Sequence, residues 1–402
     1  MDKKSVYLDH AATTRAFDSV GERVRDVMCT NYGNPSSAHT MGLEADHIVR
    51  DARQTIAEIL KVPRDTVYFT SGGTESDNLA ILGAASAKKR TGSHIVTSKL
   101  EHPAVLSPIR CLEEEGFEVT YVEPDTRGIL SPETVADAVR EDTILVSVML
   151  VNNEIGAVEP VAEIAKACKE RNPSVLVHTD AVQGFGKLAF KPRRAGIDLM
   201  SISGHKIHGP KGVGVLYIAD DRLVKPILYG GGQQHDMRPG TENVPGIAGL
   251  ALAAKLSSDM QEEADRSMRL RKRELAEGVA DLGDIRVHGM DKALSETDPE
   301  AALDEYVQWG AAHIVSISFR GVRAEVLLHA LEEKGIYVSS GSACSTNHPH
   351  ISDTLTAIRA DREDLDSTIR FSFDCDTTHE DIRTTLTALH ELVPVLRRFT
   401  RR

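Results

Sequence analysis

The stretch Val177-His178-Thr179-Asp180-Ala181-Val182-Gln183, followed by Ser201-Ile202-Ser203-Gly204-His205-Lys206, places a carboxylate, an amide and a lysine at the ends of two short apolar runs. The runs, Val175 to Val177 and Leu199 to Ile202, read as buried parallel strands. In such sheets ligands collect at the carboxyl ends of the strands. Pyridoxal phosphate requires a lysine amine for its aldehyde, a carboxylate facing its pyridine nitrogen and a hydrogen-bonding group near its phenolic oxygen. Lys206, Asp180 and Gln183 are the candidates for those places. Asp180 matters most, because a protonated ring nitrogen makes the ring an electron sink for a carbanion at the substrate α-carbon. Singly these residues say little: a lysine after Gly-His is usually solvated, and an Asp at a strand end usually caps a helix or forms a turn. Their combination at two strand ends carries the reading.

A phosphate site belongs near another strand end, and Val67-Tyr68-Phe69-Thr70-Ser71-Gly72-Gly73-Thr74-Glu75-Ser76 supplies one. A β-rich run breaks there at two glycines and opens a helical pattern from Glu75 to Lys89. Glycines let backbone N–H groups approach phosphate oxygens, and a helix N-terminus adds a favourable dipole. Onward, strand patterns at His94 to Ser98, Glu118 to Val122, Thr143 to Leu150 and Val175 to His178 alternate with helical ones at Pro103 to Glu115, Pro132 to Arg140 and Val161 to Arg171. The alternation predicts an α/β fold with a mostly parallel, doubly wound sheet. Glu44 to Leu60 is helical by period, a face that packing alone explains. A long helical stretch from Ile247 to Leu282 turns strongly charged past Met260, Ala293 to Gly310 reads as acidic and irregular, and Ile314 to Phe319 as a strand. The expected division is a large cofactor-binding domain over 18–265 and a smaller α/β C-terminal domain over 266–402 with 1–17.

With 47 Lys plus Arg against 60 Asp plus Glu, the net charge of −13 disfavours non-specific nucleic-acid binding. The N-terminus lacks the apolar core of a secretory signal and no apolar run is long enough to cross a bilayer, so a cytoplasmic protein is expected. Cys29, Cys111, Cys168, Cys344 and Cys375 are an odd number without close pairs, unlike a disulfide framework or a zinc site. His348 and His350 read as exposed loop residues, and no metal is expected. Cys168 and Cys111 read as inert core residues. Cys344 differs, because Ser339-Ser340-Gly341-Ser342-Ala343-Cys344-Ser345 is a run of small, flexible residues that exposes the thiol.

Together, Tyr7 to Thr14, Gly33-Asn34-Pro35-Ser36-Ser37, Thr70 to Asn78, Glu101-His102, Val151 to Gly156, Ser203-Gly204-His205-Lys206, Arg238-Pro239-Gly240-Thr241, Ser339 to Cys344 and Ile369 to Ser372 resemble the cysteine desulfurases of the NifS/IscS type, in the pyridoxal phosphate-dependent class V aminotransferase superfamily. The resemblance covers nearly the whole chain. It implies the aspartate aminotransferase-like fold type I and a homodimer. It further implies that Lys206 binds the cofactor aldehyde, Asp180 pairs with the pyridine nitrogen and Gln183 bonds the phenolic oxygen. Thr74, Ser203 and His205 would hold the phosphate with Gly73 and, across the dimer interface, Thr241. His102 would stack on the ring and assist proton transfer. Asn34, Asn153 and Arg370 would grip the substrate. Cys344, on a mobile loop over about 339–352, would take sulfur from L-cysteine as a persulfide, leaving L-alanine, and pass it to an acceptor protein for iron-sulfur cluster assembly or thiolation. Selenocysteine cleavage or another reaction of the superfamily shares nearly every residue. A sulfur-delivery scaffold without activity ranks lower, since Lys206, Asp180 and Cys344 are all present. Departures from the family are Asp374, where glycine is common, the polar segment Ser345 to His350, and Leu294 to Tyr306 with Trp309, which reads as a small insertion.

Overall fold

A computed structural model describes residues 5–340 and 352–400. Its largest sheet has seven strands in the spatial order Val67–Thr70, Gly214–Ile218, Leu199–Ser203, Leu176–Asp180, Thr143–Ser147, His94–Ser98 and Glu118–Val122. Gly214–Ile218 pairs antiparallel with both of its neighbours, and every other pairing is parallel. Alternate side chains along a strand feed opposite faces. Val67, Phe69, Val215 and Tyr217 therefore join one core with helices Thr40–Leu60, Val161–Arg171 and Val244–Asp259. Tyr68, Leu216 and Ile218 join the other with helices Gly73–Lys88 and Pro103–Glu114. This is the doubly wound α/β architecture expected of fold type I.

A four-stranded sheet, ordered Ser339–Ser340, Thr368–Ser372, Ile314–Phe319 and Ile285–Val287, is antiparallel throughout. Its core of Val315, Ile317, Phe319, Ile369 and Phe371 also takes in Val6 and Leu8. Val6–Tyr7 pairs in parallel with Ile336–Tyr337, so the N-terminal segment is packed against the last third of the chain. That segment then runs to the carboxyl ends of the large sheet.

Several sequence expectations need correction. Ala293 to Gly310 is not irregular but forms helices Lys292–Thr297 and Pro299–Trp309. Asp291 and Asp298 cap them by accepting from the N–H groups of Leu294 and Ala301, and Ala302 and Tyr306 are buried. Trp309 remains 70% exposed. The stretch from Ile247 to Leu282 divides into helices Val244–Asp259 and Gln261–Gly278. Helix Pro132–Asp137 stops short of Arg140, and strand Thr143–Ser147 short of Leu150. Cys111 is exposed, because Val105, Ile109 and Leu112 face the core on their helix and position 111 lies off that stripe. Cys168 is buried, as expected.

Candidate active site

Asp180 ends strand Leu176–Asp180, and Lys206 ends the short turn Gly204–Lys206 after strand Leu199–Ser203. The two strands are adjacent and parallel, with Asp180 level with Ser201, so parallel pairing brings the acid and the lysine to one sheet edge. Asp180 is buried; one carboxylate oxygen accepts from the Val182 N–H at 2.8 Å, and the other makes no hydrogen bond among the described residues. Burial pushes its carboxyl up, while the charges of His102 and Lys206 pull it down. A cation set against the free oxygen would restore the ionised form, and the protonated ring nitrogen of pyridoxal phosphate is such a group.

His102 caps helix Pro103–Glu114, its Nδ1 accepting from the Ala104 N–H at 3.1 Å. Nε2 therefore carries the proton of the neutral ring. The residue is exposed, yet close enough to Asp180 and Lys206 for their charges to act on it. Lys206 donates through Nζ to the carbonyls of Ala11 and, at 2.8 Å, Ala12. Gln183 also donates to the Ala11 carbonyl, at 2.9 Å, and its oxygen faces His313 at 3.4 Å. Residues 11 and 12 thus cross the site, held to the smaller sheet by the Ala11 N–H donating to Ser372 Oγ at 2.8 Å.

At the phosphate turn, Gly72 adopts φ 155° and ψ −174°, a region open essentially to glycine, and helix Gly73–Lys88 begins with no side chain capping it. A Cβ on Gly73 would lie 2.7 Å from Val182 Cγ2 and 3.6 Å from the Ser203 Cβ. A bare backbone N–H terminus in a cradle that admits no side chain fits a phosphate. Glu75 braces the turn, accepting from the Ser71 N–H at 2.8 Å and from Arg238 Nε at 2.7 Å. Thr74 is exposed at this terminus, while His205 Nδ1 lies 3.2 Å from Thr13 Oγ1.

Arg370 divides its fork between the Asn153 carbonyl, at 2.8 Å, and Asp9, at 2.9 Å. Its Nε is buried without a partner among the described residues, a donor left for a further acceptor. Asn34 is exposed and its side chain accepts from the Ser36 N–H at 3.0 Å, forming a turn. Thr241 is exposed and makes no hydrogen bond among the described residues. Cys344 lies outside the described residues, as do His348 and His350.

Behind Asp180 stands a buried polar layer that sequence reasoning missed. His178 joins Ser147 Oγ at 2.8 Å and Ser201 Oγ at 3.0 Å across three neighbouring strands. Its Nε2 is 3.5 Å from Asp77; desolvation takes the imidazole down to about 3 and raises the Asp77 carboxyl well above the usual range, so burial disfavours the charged form of each. Glu101 is likewise buried, and desolvation raises it to about 8. One local hint existed, since His178 precedes Asp180 by one strand repeat within the opening stretch.

Comparison with known proteins agrees with this geometry. The model of the family "Aminotransferase class-V" matches residues 6–384. The chain is similar to the putative cysteine desulfurase IscS 1 of Bacillus subtilis, 42% identical over 98% of this chain and 99% of that one. It is also similar to the cysteine desulfurase IscS of Methanosarcina thermophila, 40% identical over 98% of this chain and 94% of that one. Among solved structures, a NifS-like protein superposes with a TM-score of 0.89 at 35% identity, covering 98% of this chain and all of that one. DndA from Streptomyces lividans superposes with a TM-score of 0.73 at 36% identity, covering 92% and 99%. By the match along its length and by the site at its sheet edge, the chain belongs to the class-V aminotransferase family, among its cysteine desulfurases of NifS/IscS type.

Proposed function

We propose that the protein removes sulfur from L-cysteine, releasing L-alanine and leaving the sulfur as a persulfide on Cys344. The observation that carries this reading is the buried Asp180 carboxyl, with one oxygen free of hydrogen bonds, close enough to Lys206 and His102 to feel their charges. Pyridoxal phosphate, when bound, supplies the electron sink that makes the substrate α-proton acidic.

The chain's own residues do the rest. Asp180 keeps a proton on the ring nitrogen. Lys206 would hold the aldehyde through Nζ, and its amine is the base for the α-proton; His102, with its neutral-ring proton on Nε2, would sit against the cofactor and assist proton transfer. Gly73, Thr74, Ser203 and His205 would hold the phosphate, and Gln183 would bond the phenolic oxygen. Arg370, which bonds the Asn153 carbonyl, would bind the substrate carboxylate, and Asn153 and Asn34 are the further substrate contacts of this reading. The Cys344 thiolate attacks the substrate sulfur: an S–S bond forms, the Cβ–S bond breaks, and the electron pair left on Cβ takes a proton to become the methyl group of alanine. Thiol plus cysteine thus gives persulfide plus alanine without an external oxidant.

A homodimer completes the site in this reading, Thr241 of each copy reaching the other's phosphate. Support comes from its exposure and from the loop before it, where Gln234, His235 and Asp236 hold consecutive left-handed φ values of 49°, 56° and 63°. Such strain persists where surrounding contacts enforce it. The division into 18–265 and 266–402 with 1–17 is supported by the separate apolar cores of the two larger sheets. The sulfur passes to an acceptor protein in the cytoplasm, where thiols stay reduced; the four described cysteines are free thiols. No helix among the described residues is long and apolar enough to cross a membrane.

Borohydride reduction of the purified protein followed by peptide mapping tests the site. The cofactor adduct should fall on Lys206. An adduct on another lysine, or none, contradicts the assignment.

A further inference from the structure

Lys187 follows Gly186, which holds φ +75°, just after Gln183. Its Nζ donates to the backbone carbonyl of Lys206 at 2.7 Å. Part of the residue surface stays open because it lines a cavity of about 40 Å³ with Lys206, His208, Asp374 and Cys375, yet the amine itself is enclosed by protein. That volume admits an ordered water. Desolvation, then repulsion from Lys206, pushes the Lys187 amine down to about 7, against the pull of Asp374.

Groups from every neighbouring element sense this amine: His10 from the N-terminal segment, His205 and Lys206 from the turn, His208 beyond it, His313 before strand Ile314–Phe319, and Asp374 after Thr368–Ser372. Asp374 is the one anion of this set. One of its oxygens lies 3.1 Å from His10 Nδ1, close enough for an ion pair but off the line of a hydrogen bond, and 4.0 Å from His208 Nε2. The other accepts from the Asp376 N–H at 3.0 Å and Thr377 Oγ1 at 3.1 Å.

We propose that Lys187 is a positioning residue for the reaction, its enclosed amine anchoring the backbone of Lys206 from behind and setting the charge that the Lys206 amine meets. This rests on the reading of Lys206 as cofactor holder and base. The anchor works by geometry: Lys206 is gripped at its carbonyl by Lys187 and at its amine by the Ala11 and Ala12 carbonyls, which fixes the arm between. The charge works by repulsion below about pH 7, where Lys187 holds its proton: a cation behind Lys206 then disfavours protonation of the Lys206 amine and keeps it available as a base to lower pH.

Two substitutions separate these effects. Lys187→Met removes donor and charge, whereas Lys187→Gln removes the charge and keeps an N–H donor on a shorter arm. Cofactor-free protein is mixed with pyridoxal phosphate and its capture followed by absorbance; kcat and KM for cysteine are then measured against pH. Lys187→Met should capture the cofactor about tenfold more slowly, as loss of one buried hydrogen bond predicts. In both variants the acid limb of kcat should move up by about one pH unit, with KM within about twofold of wild type. An acid limb that stays in place in Lys187→Gln overturns the proposal whatever Lys187→Met does, because a merely structural role lowers capture and melting temperature without moving that limb. Wild-type protein that captures no pyridoxal phosphate on Lys206 contradicts the site reading instead.

Discussion

Replacing Glu101 by glutamine should make the fold less sensitive to alkali. One carboxylate oxygen of Glu101 accepts from Ser98 Oγ at 2.6 Å and the Met149 N–H at 2.9 Å, while the other is buried without a partner among the described residues. Desolvation, with a smaller contribution from Asp180, raises the carboxyl from 4.5 to about 8. A raised carboxyl means that the native state holds a proton the unfolded chain has already released, so stability falls as pH climbs between those two values. Integrated from about pH 5 to about pH 8, this one group costs the wild type about 3.5 kcal/mol. Glutamine keeps the acceptor for Ser98 and Met149 and does not titrate. With an unfolding entropy of about 2 cal/mol/K per residue, a chain this long shifts by about 1 °C per kcal/mol. The melting temperature of Glu101→Gln should therefore gain about 4 °C on wild type across that range. Scanning fluorimetry of both proteins in the same buffers cancels the other titrating groups. A melting difference constant to within about 1 °C over the range refutes the reasoning.

Asp180→Asn keeps the bond from the Val182 N–H but offers no charge to the ring nitrogen; kcat should fall by about 10²–10³ with cysteine binding largely kept, measured as alanine formation. Arg370→Lys cannot reach the Asn153 carbonyl, Asp9 and a substrate carboxylate together, so KM for cysteine should rise about 10- to 100-fold while the protein still binds pyridoxal phosphate, read by absorbance and steady-state kinetics.

Asp180 and Lys206 were legible because strand ends leave a mark: an apolar run that stops at a polar residue needs only local sequence to be seen. Gly72 and Gly73 were legible for the same reason, as a break between two periods. The buried layer was not. Ser147, His178 and Ser201 meet only because three strands distant in sequence lie side by side, and Asp77 arrives from a helix. Lys187 reads locally as a lysine between Gly186 and Leu188, and its reach back to Lys206 depends on how the turn folds over strand ends. The helices within 292–309 were hidden by charge, although Asp291, Asp298 and Pro299 are ordinary helix-start residues. Cys111 was misjudged because one position off a helical stripe separates core from solvent.

The most direct test is to incubate the loaded enzyme with L-cysteine in the absence of reductant and determine, in one sample, alanine released and the mass of the Cys344 peptide. One added sulfur on Cys344 with one alanine per site in the first turnover is the predicted result. Alanine formed without sulfur on Cys344, or sulfur found on Cys29, Cys111, Cys168 or Cys375 instead, would contradict it.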